Sequence, residues 1–370
     1  MGRPSAPLSA STSAPSRAAV LVVSDRYGGA EKYLNSLYGG LRSAGVSASL
    51  VGRLPSASTI LTPAEPLPLS AKWSRKNLLR GLARLPRERR IVRAAFSDFT
   101  PDWIHVQFKR EQIGFTKVLS ELAPVIWTEH GVLSRTSPLR RSYARAAQSA
   151  SGIICVSPAV AESISDLVPP RKIRVIENTF GVKRSDAGRL ERADNTRSST
   201  RTEVLWVGRL DTAKRPSLAI DYARANPDHH VTVAGTGALS QVFARAARDL
   251  PNLEWRGHVD DVEPLMRAAS VLMFTSTGRG EGMPTVLAEA AAAGLPVVTH
   301  EGSGAEWLVR DLEGTIVRSA RDMDQWRRAF ESPSTPSDDR LDLWLSAHSL
   351  EVWVEAHHRA FQEFTAAPRS

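Results

Sequence analysis

Two glutamates flank one expected helix start. The run is Gly280-Glu281-Gly282-Met283-Pro284-Thr285-Val286-Leu287-Ala288-Glu289, followed by four alanines, Gly294 and Leu-Pro-Val-Val. Pro284 suits the first helical position and Gly294 the stop. A helix that starts after a glycine-rich turn presents unbonded N–H groups and the positive end of its dipole, a geometry that binds phosphate. Glu281 precedes the helix, and Glu289 lies about 7 Å along its axis. A nucleotide-sugar carries hydroxyl-rich rings on both sides of a diphosphate. One carboxylate can accept from the sugar hydroxyls and the other from the ribose, with the helix start on the phosphates between them.

Further segments carry chemistry of the same kind. Val207-Gly208-Arg209-Leu210-Asp211-Thr212-Ala213-Lys214 offers two cations, Arg209 and Lys214, just past an expected strand. Ala234-Gly235-Thr236-Gly237 lacks the third glycine of a dinucleotide fingerprint, since Ser240 stands there. It reads as a tight strand-to-helix turn in which Gly235 and Gly237 line a ligand site, with a nicotinamide site as the alternative. Gly28 and Gly29, in Asp25-Arg26-Tyr27-Gly28-Gly29-Ala30-Glu31, let backbone approach a ligand closely. Thr128-Glu129-His130-Gly131 ends an apolar run and puts a histidine at a strand end.

Together these segments resemble the retaining glycosyltransferases of family 4, from about residue 18 to residue 365. The resemblance implies the GT-B architecture: α/β, two Rossmann-like domains with a donor-binding cleft between them. Glu281 and Glu289 match the family's E-x7-E signature, the first toward the donor sugar and the second toward the ribose. Gly282, Met283, Pro284 and Thr285 match the stretch along the donor sugar and phosphate. Arg209 and Lys214 match the cations on the diphosphate, and Gly28 and Gly29 the glycine-rich loop Gly-Gly-Ala-Glu. His130 matches the histidine at the reaction centre, with Glu129 beside it. The loop Gly257-His258-Val259-Asp260 resembles the base-binding loop through Val259, and Glu306 is a partial match. Glu177-Asn178-Thr179-Phe180 departs from the family's Pro-Asn-Gly turn, which leaves the local turn geometry open.

The elements that must position these residues alternate strand and helix twice. Apolar runs predict strands at Ala18–Val23, Val46–Val51, Trp103–Val106, Val125–Thr128, Ile153–Val156 and Ile173–Ile176, and then at Val204–Val207, His230–Ala234, Leu253–Arg256, Val271–Thr275 and Pro296–Thr299. Helical stretches lie between them, and Leu341 to Phe364 forms one or two more. Two β-α-β-α series imply two parallel sheets with ligands at the carboxyl ends of the strands. The expected organisation is a disordered tail at 1–16, an acceptor domain at 17–180, a polar linker at 181–202, a nucleotide-sugar domain at 203–338 and closing helices at 339–370.

Composition narrows the class. The chain has 370 residues, a formal net charge of +9 and one cysteine, Cys155, which sits in an apolar run and excludes an intrachain disulfide. No apolar run reaches the ~18 residues of a membrane-spanning helix. With no secretion signal, the expected place is the cytoplasm. Residues 1–180 carry 25 Lys and Arg against 12 Asp and Glu, whereas residues 181–370 carry 23 against 27. Within the basic half, Lys72, Lys76, Arg80 and Arg84 form one helical face opposite Leu78, Leu82 and Leu85. Pro86 interrupts the pattern, and Arg87, Arg89, Arg90 and Arg93 follow. Such a stretch, 72–93, reads either as a helix lying on an anionic membrane face or as a buried leucine stripe with solvated arginines. Trp73 is the only nearby ring, which argues against nucleic acid.

The expected activity is retaining transfer from a nucleotide diphosphate sugar, UDP-sugar first and GDP-sugar second, onto an acceptor hydroxyl in cell-envelope glycan, glycolipid or secondary-metabolite synthesis: a lipid-linked or otherwise anionic intermediate, a cell-envelope saccharide or a small metabolite. No side chain stands out as a nucleophile, so attack comes on the front face, assisted by the departing phosphate. No Asp-x-Asp pair stands in the expected place, so no metal and no cofactor are expected. Two alternatives remain at this level: a sugar-nucleotide epimerase of the same fold, and a non-catalytic partner subunit.

Overall fold

A computed structural model of the chain describes residues 16–24, 29–54, 62–63, 67–70, 78–96, 99–178, 201–278 and 282–366. The glycine-loop residues 25–28, the lysines of the 72–93 stretch, almost all of the expected linker, Glu281 and most of the N-terminal tail lie outside these residues.

The first alternation runs β1 (Arg17–Val23), α1 (Gly29–Ser43), β2 (Ser47–Arg53), β3 (Thr62–Pro63), α2 (Leu78–Ala94), β4 (Trp103–Val106), α3 (Lys109–Leu119), β5 (Val125–Glu129), α4 (Arg140–Gln148), β6 (Gly152–Cys155), α5 (Pro158–Ile164) and β7 (Ile173–Val175). Its sheet has the order β3-β2-β1-β4-β5-β6-β7. The central strand β1 is buried from Ala18 to Val23, as a parallel strand covered on both faces must be. In α1, Tyr33, Leu34, Leu37, Tyr38 and Leu41 form the buried face at the spacing of helical turns, and the chain leaves through Gly45 at φ +82°. Each such fully buried side chain contributes about 1.5–3 kcal/mol.

The second alternation runs β8 (Glu203–Val207), α6 (Ser217–Ala225), β9 (His230–Ala234), α7 (Ser240–Asp249), β10 (Leu253–Gly257), α8 (Glu263–Ala268), β11 (Val271–Met273), α9 (Thr285–Ala292), β12 (Val297–His300), α10 (Glu306–Asp311), β13 (Thr315–Val317) and α11 (Met323–Glu331), closed by α12 (Asp338–Ala347) and α13 (Leu350–Ala366). The sheet order β10-β9-β8-β11-β12-β13 is that of a doubly wound nucleotide-binding sheet, and all its observed pairings are parallel. Its core gathers Trp206, Leu210, Tyr222, Phe243, Trp326 and Phe330. In each sheet the strand order reverses next to the first strand, between β1 and β4 and between β8 and β11. The loops after those strands are where ligands bind in such folds.

The chain divides into two compact units. One holds the residues up to Trp127 with Ser149–Ser151 and those from Phe361 onward. The other holds Thr128–Gln148 and Gly152–Ala360.

Two sequence expectations need correction. Helix α2 does not stop at Pro86 but runs on to Ala94. The proline lies on the exposed side of the helix, while Leu85, Glu88 and Val92 anchor it on its buried side. Leu82 does not share the buried stripe, because it is 44% exposed. Among the described side chains of the helix, the buried positions are Gly81, Leu85, Glu88 and Val92, and Leu82 falls off that line.

Candidate functional site

The loop after β8 carries the two expected cations, and backbone bonds fix its course. Gly208 N donates to Ala234 O, Leu210 N to Thr236 O, and Leu239 N back to Leu210 O, each at 3.0 Å. Leu210 itself is fully buried. The neighbouring glycines make this approach feasible. A Cβ at Gly235, whose φ is +138°, would stand 1.9 Å from Gly208 O, and one at Gly237 would stand 2.5 Å from Leu210 O. Both glycines therefore let the loop after β9 lie against the loop after β8, at the carboxyl ends of adjacent strands.

Within that loop Asp211 organises the cations. Its Oδ1 accepts from Ala213 N at 3.0 Å and from Lys214 N at 3.1 Å, and its Oδ2 pairs with Arg209 Nε. Burial works to raise the Asp211 pKa, but the Arg209 hydrogen bond and the two backbone N–H groups outweigh it and hold the carboxyl below its ordinary value. Lys214 Nζ lies 5.9 Å from the centre of the Phe274 ring, just past β11. Thr275 clamps the far side: it accepts from Trp206 Nε1 at 2.8 Å, and its hydroxyl lies 2.8 Å from Lys214 O and 3.1 Å from Arg215 O. Thr277 N donates to Ala213 O at 2.9 Å. The cation loop is thus tied to the stretch leading from β11 to α9.

That stretch ends at the helix start expected from the sequence, one residue later than expected. Pro284 is the N-cap of α9 rather than its first helical residue, because its ψ of 98° is extended. No side chain caps the first turn, the condition under which a bound anion can take its N–H groups. Glu289 is half-buried and lies about 6 Å along the axis from Thr285. Gly294, at φ +68°, terminates the helix as expected.

The loop 282–284 also meets the strand-end histidine. A Cβ at Gly282 would stand 2.0 Å from His130 O and 2.9 Å from Val156 Cγ2. Only glycine allows the backbone before α9 to lie against the residues just after β5 and β6. Met283 is buried beside it, and its Sδ accepts from Asn178 N at 2.9 Å. The structure therefore brings together His130, Gly282, Met283, Pro284 and the start of α9. Glu129, one residue before the histidine, is buried. Burial, followed by the Glu129 carboxylate it faces, pushes the Tyr143 hydroxyl pKa far up, so Glu129 is engaged with α4.

The other expected residues fall as follows. Gly29 is the first residue of α1 and is exposed, with open space where a Cβ would point. Glu31 of the same loop is buried and accepts from Ser24 Oγ at 2.5 Å, which ties α1 to the end of β1. Val259 is half-buried in the loop after β10, between His258 and Asp260, whose side chains pair at 3.1 Å. Glu306 accepts from Gly302 N within the β12–α10 turn, which gives it a place in the turn itself. Sequence reasoning passed over Asp211 and Thr275. An aspartate two and three residues before two backbone N–H groups is the spacing of an Asx-type turn, so Asp211 was legible. Thr275 gave no comparable signal. Among the described residues, no three His, Cys, Asp or Glu side chains are grouped to hold a metal ion, and no helix is long and apolar enough to cross a membrane.

The chain matches two family models, one described as "Glycosyltransferase Family 4" over residues 27–184 and one as "Glycosyl transferases group 1" over residues 201–332. It is 30% identical over 223 residues to the lipopolysaccharide core biosynthesis glycosyltransferase LpsE of Rhizobium meliloti (strain 1021), a match spanning 59% of this chain and 62% of that protein. It is 32% identical over 117 residues to a phosphatidyl-myo-inositol mannosyltransferase of Mycobacterium tuberculosis (strain ATCC 25618 / H37Rv), covering 30% of this chain and 31% of that one. Among solved structures, the apo lipopolysaccharide outer core galactosyltransferase WaaB superposes with a TM-score of 0.71 at 16% identity, over 94% of this chain and 99% of that one. HepE of Anabaena in complex with UDP superposes with a TM-score of 0.65 at 17% identity, over 94% and 95%. On these matches and the two doubly wound sheets, the chain belongs with the family 4 glycosyltransferases of the GT-B fold.

Proposed function

We propose that the chain transfers a sugar from a nucleoside diphosphate sugar, UDP-sugar first and GDP-sugar second, onto an acceptor hydroxyl in the assembly of a cell-envelope glycan. The observation that supports this reading is the approach of Gly282 to His130 O, which joins the main chain just after β5 to the backbone leading into an uncapped helix start. In this reading the diphosphate sits on the first turn of α9, with Arg209 and Lys214 neutralising its charge in place of a metal. Glu289 accepts from the ribose hydroxyls, Glu281 and His130 face the donor sugar, and the Val259 loop lies along the base. The bond from the anomeric carbon to the diphosphate breaks as the acceptor oxygen attacks from the same face. The departing phosphate oxygen takes the acceptor proton, so configuration is retained. The envelope setting is supported by LpsE, named for lipopolysaccharide core biosynthesis, and the nucleotide donor by the UDP bound to HepE.

A thermal-shift screen of UDP-, GDP-, ADP- and dTDP-sugars tests the donor. A ligand that binds only the folded state raises the melting temperature by mass action. Glu281→Ala is expected to abolish release of nucleoside diphosphate from whichever donor binds. No stabilisation by any of the four, or full turnover in Glu281→Ala, would reject the reading.

A second element of the reading concerns the acceptor. Helix α2 presents Arg80, Arg84, Arg87, Arg90 and Arg93 to solvent together with the exposed Leu82. This face suits contact with an anionic membrane surface that carries a lipid-linked acceptor. Flotation with liposomes containing anionic lipid is expected to recover the protein at low salt but not at high salt. Failure to float at low salt removes this element.

A further inference from the structure

We propose that Asp211 is a positioning residue that tethers Arg209 by its Nε and leaves the rest of the guanidinium fork open to receive the donor diphosphate. The proposal rests on the assignment of Arg209 to that diphosphate. Arg209 and Asp211 leave a loop whose backbone is already fixed by the bonds at Gly208, Leu210 and Leu239 and by the buried Leu210 side chain. From this base Asp211 does two things. Its Oδ1 takes the N–H groups of Ala213 and Lys214, at 3.0 and 3.1 Å, and so sets the backbone from which the second cation projects. Its Oδ2 takes Arg209 Nε.

An arginine carries five N–H donors, of which Nε supplies one. The Arg209 side chain is 71% exposed, and among the described residues Asp211 alone pairs with it. The two terminal nitrogens, the pair that grips a phosphate bidentately, are thus left toward solvent. An untethered surface arginine surrenders its rotamer freedom when it binds, and one already held at Nε surrenders less. Asp211 stays ionised under ordinary conditions, because Arg209 and the two N–H groups outweigh its burial.

The same carboxylate also repels an incoming diphosphate. Orientation and repulsion act with opposite signs, and salt separates them. At about 0.5 M salt the screening length falls to about 4 Å, so repulsion is largely removed while the tether remains.

The experiment measures UDP and GDP dissociation constants by calorimetry at that salt, for wild type, Asp211→Asn, Arg209→Ala and the double variant. Asparagine keeps an oxygen for Ala213 N and Lys214 N but offers Arg209 Nε no carboxylate. Asp211→Asn is expected to keep the wild-type melting temperature and to raise the dissociation constant roughly 5- to 10-fold, the cost of ordering one arginine side chain that the tether no longer holds in advance. In the Arg209→Ala background the same change is expected to do nothing further. Any damage to the loop itself appears in both backgrounds and cancels.

Wild-type affinity in Asp211→Asn at high salt, with Arg209→Ala weakened, would overturn the proposal. So would an equal weakening by Asp211→Asn in both backgrounds, since Asp211 would then act without Arg209. Unchanged affinity in Arg209→Ala removes the diphosphate assignment of Arg209 itself.

Discussion

Gly282→Ala is a steric perturbation of the proposed reaction centre. Alanine adds a single methyl group to the backbone at this position. Its Cβ, however, would stand 2.0 Å from His130 O, 2.8 Å from the carbon of that carbonyl and 2.9 Å from Val156 Cγ2. An ordinary contact needs about 3.5 Å, so relief requires a displacement of roughly 1.5 Å. The valine methyl can turn aside but the carbonyl cannot, because it is main chain. Either the residues after β5 or the loop into α9 must move. Overpacking of this kind costs about 1–3 kcal/mol of stability, and a misplacement of about 1 Å at a reacting centre lowers turnover about 100-fold. For a unit of this size, 1 kcal/mol corresponds to about 2–4 °C in melting temperature. The assays are thermal unfolding and release of nucleoside diphosphate from the donor found by the thermal-shift screen. A variant that melts a few degrees lower, remains folded at assay temperature and turns over about 100-fold more slowly is the expected result. Wild-type turnover in a folded Gly282→Ala protein would show that the contact between Gly282 and His130 does not organise the chemistry.

Other perturbations probe the scaffold. Arg110 on α3 is buried between Glu88 of α2 at 2.7 Å and Glu111 at 2.9 Å, with side-chain exposures of 1%, 4% and 0%. Arg110→Met strands two buried carboxylates and is expected to cost about 3–5 kcal/mol in denaturant unfolding. A loss below about 1 kcal/mol would mean that water reaches them. His348 lies between two acceptors, Trp344 O at 2.7 Å and Glu177 Oε2 at 3.2 Å, so both ring nitrogens need a proton. Burial alone would lower its pKa, but Glu177 and the Trp344 carbonyl outweigh burial and raise it above 6.5. A histidine whose pKa is raised on folding contributes its full stability below the unfolded value and loses it as pH rises through the folded value. The melting-temperature gap between wild type and His348→Gln is therefore expected to be widest below pH 6.5 and to close above it; a gap independent of pH would contradict this. Gly235→Ala places a Cβ 1.9 Å from Gly208 O at a φ of +138° and is expected to lower the melting temperature more than Gly282→Ala does. The opposite order would mean the loop after β9 yields more easily than the loop before α9.

Much of this architecture was legible because it is written in periodicity. A strand buried on both faces reads as a near-continuous apolar run, and Ala18–Val23 and Trp103–Val106 were found that way, while His230–Ala234 alternates apolar with half-buried polar residues; all three have bounds within a residue of the observed ones. Strand β13, Thr315–Val317, has a single fully buried residue and carries no such run, so periodicity could not see it. The end of α2 was misread because a proline's local preference was allowed to overrule tertiary anchoring, when Glu88 held by Arg110 fixes the helix two residues beyond it. The site divides along the same line. Helix start, cations and strand-end histidine were legible because each is a residue type at a fixed offset from an element boundary. The contacts that join them were not. That Gly282 lies on His130, or that Gly235 lies on Gly208, follows from where separate strands end in space, and a glycine in sequence does not say which neighbour forbids its side chain. This is why the glycines are the more discriminating evidence. A surface arginine is compatible with many uses, but a backbone-to-backbone approach that would put a Cβ 2.0 Å from a carbonyl oxygen fixes a geometry. Here the geometry sets the His130 main chain against the backbone that leads into the uncapped first turn of α9. Cations placed near that turn without the glycine contact would make an anion-binding surface. With the contact, the His130 main chain is fixed against the backbone leading into that turn, and the proposed transfer from a diphosphate builds on this geometry.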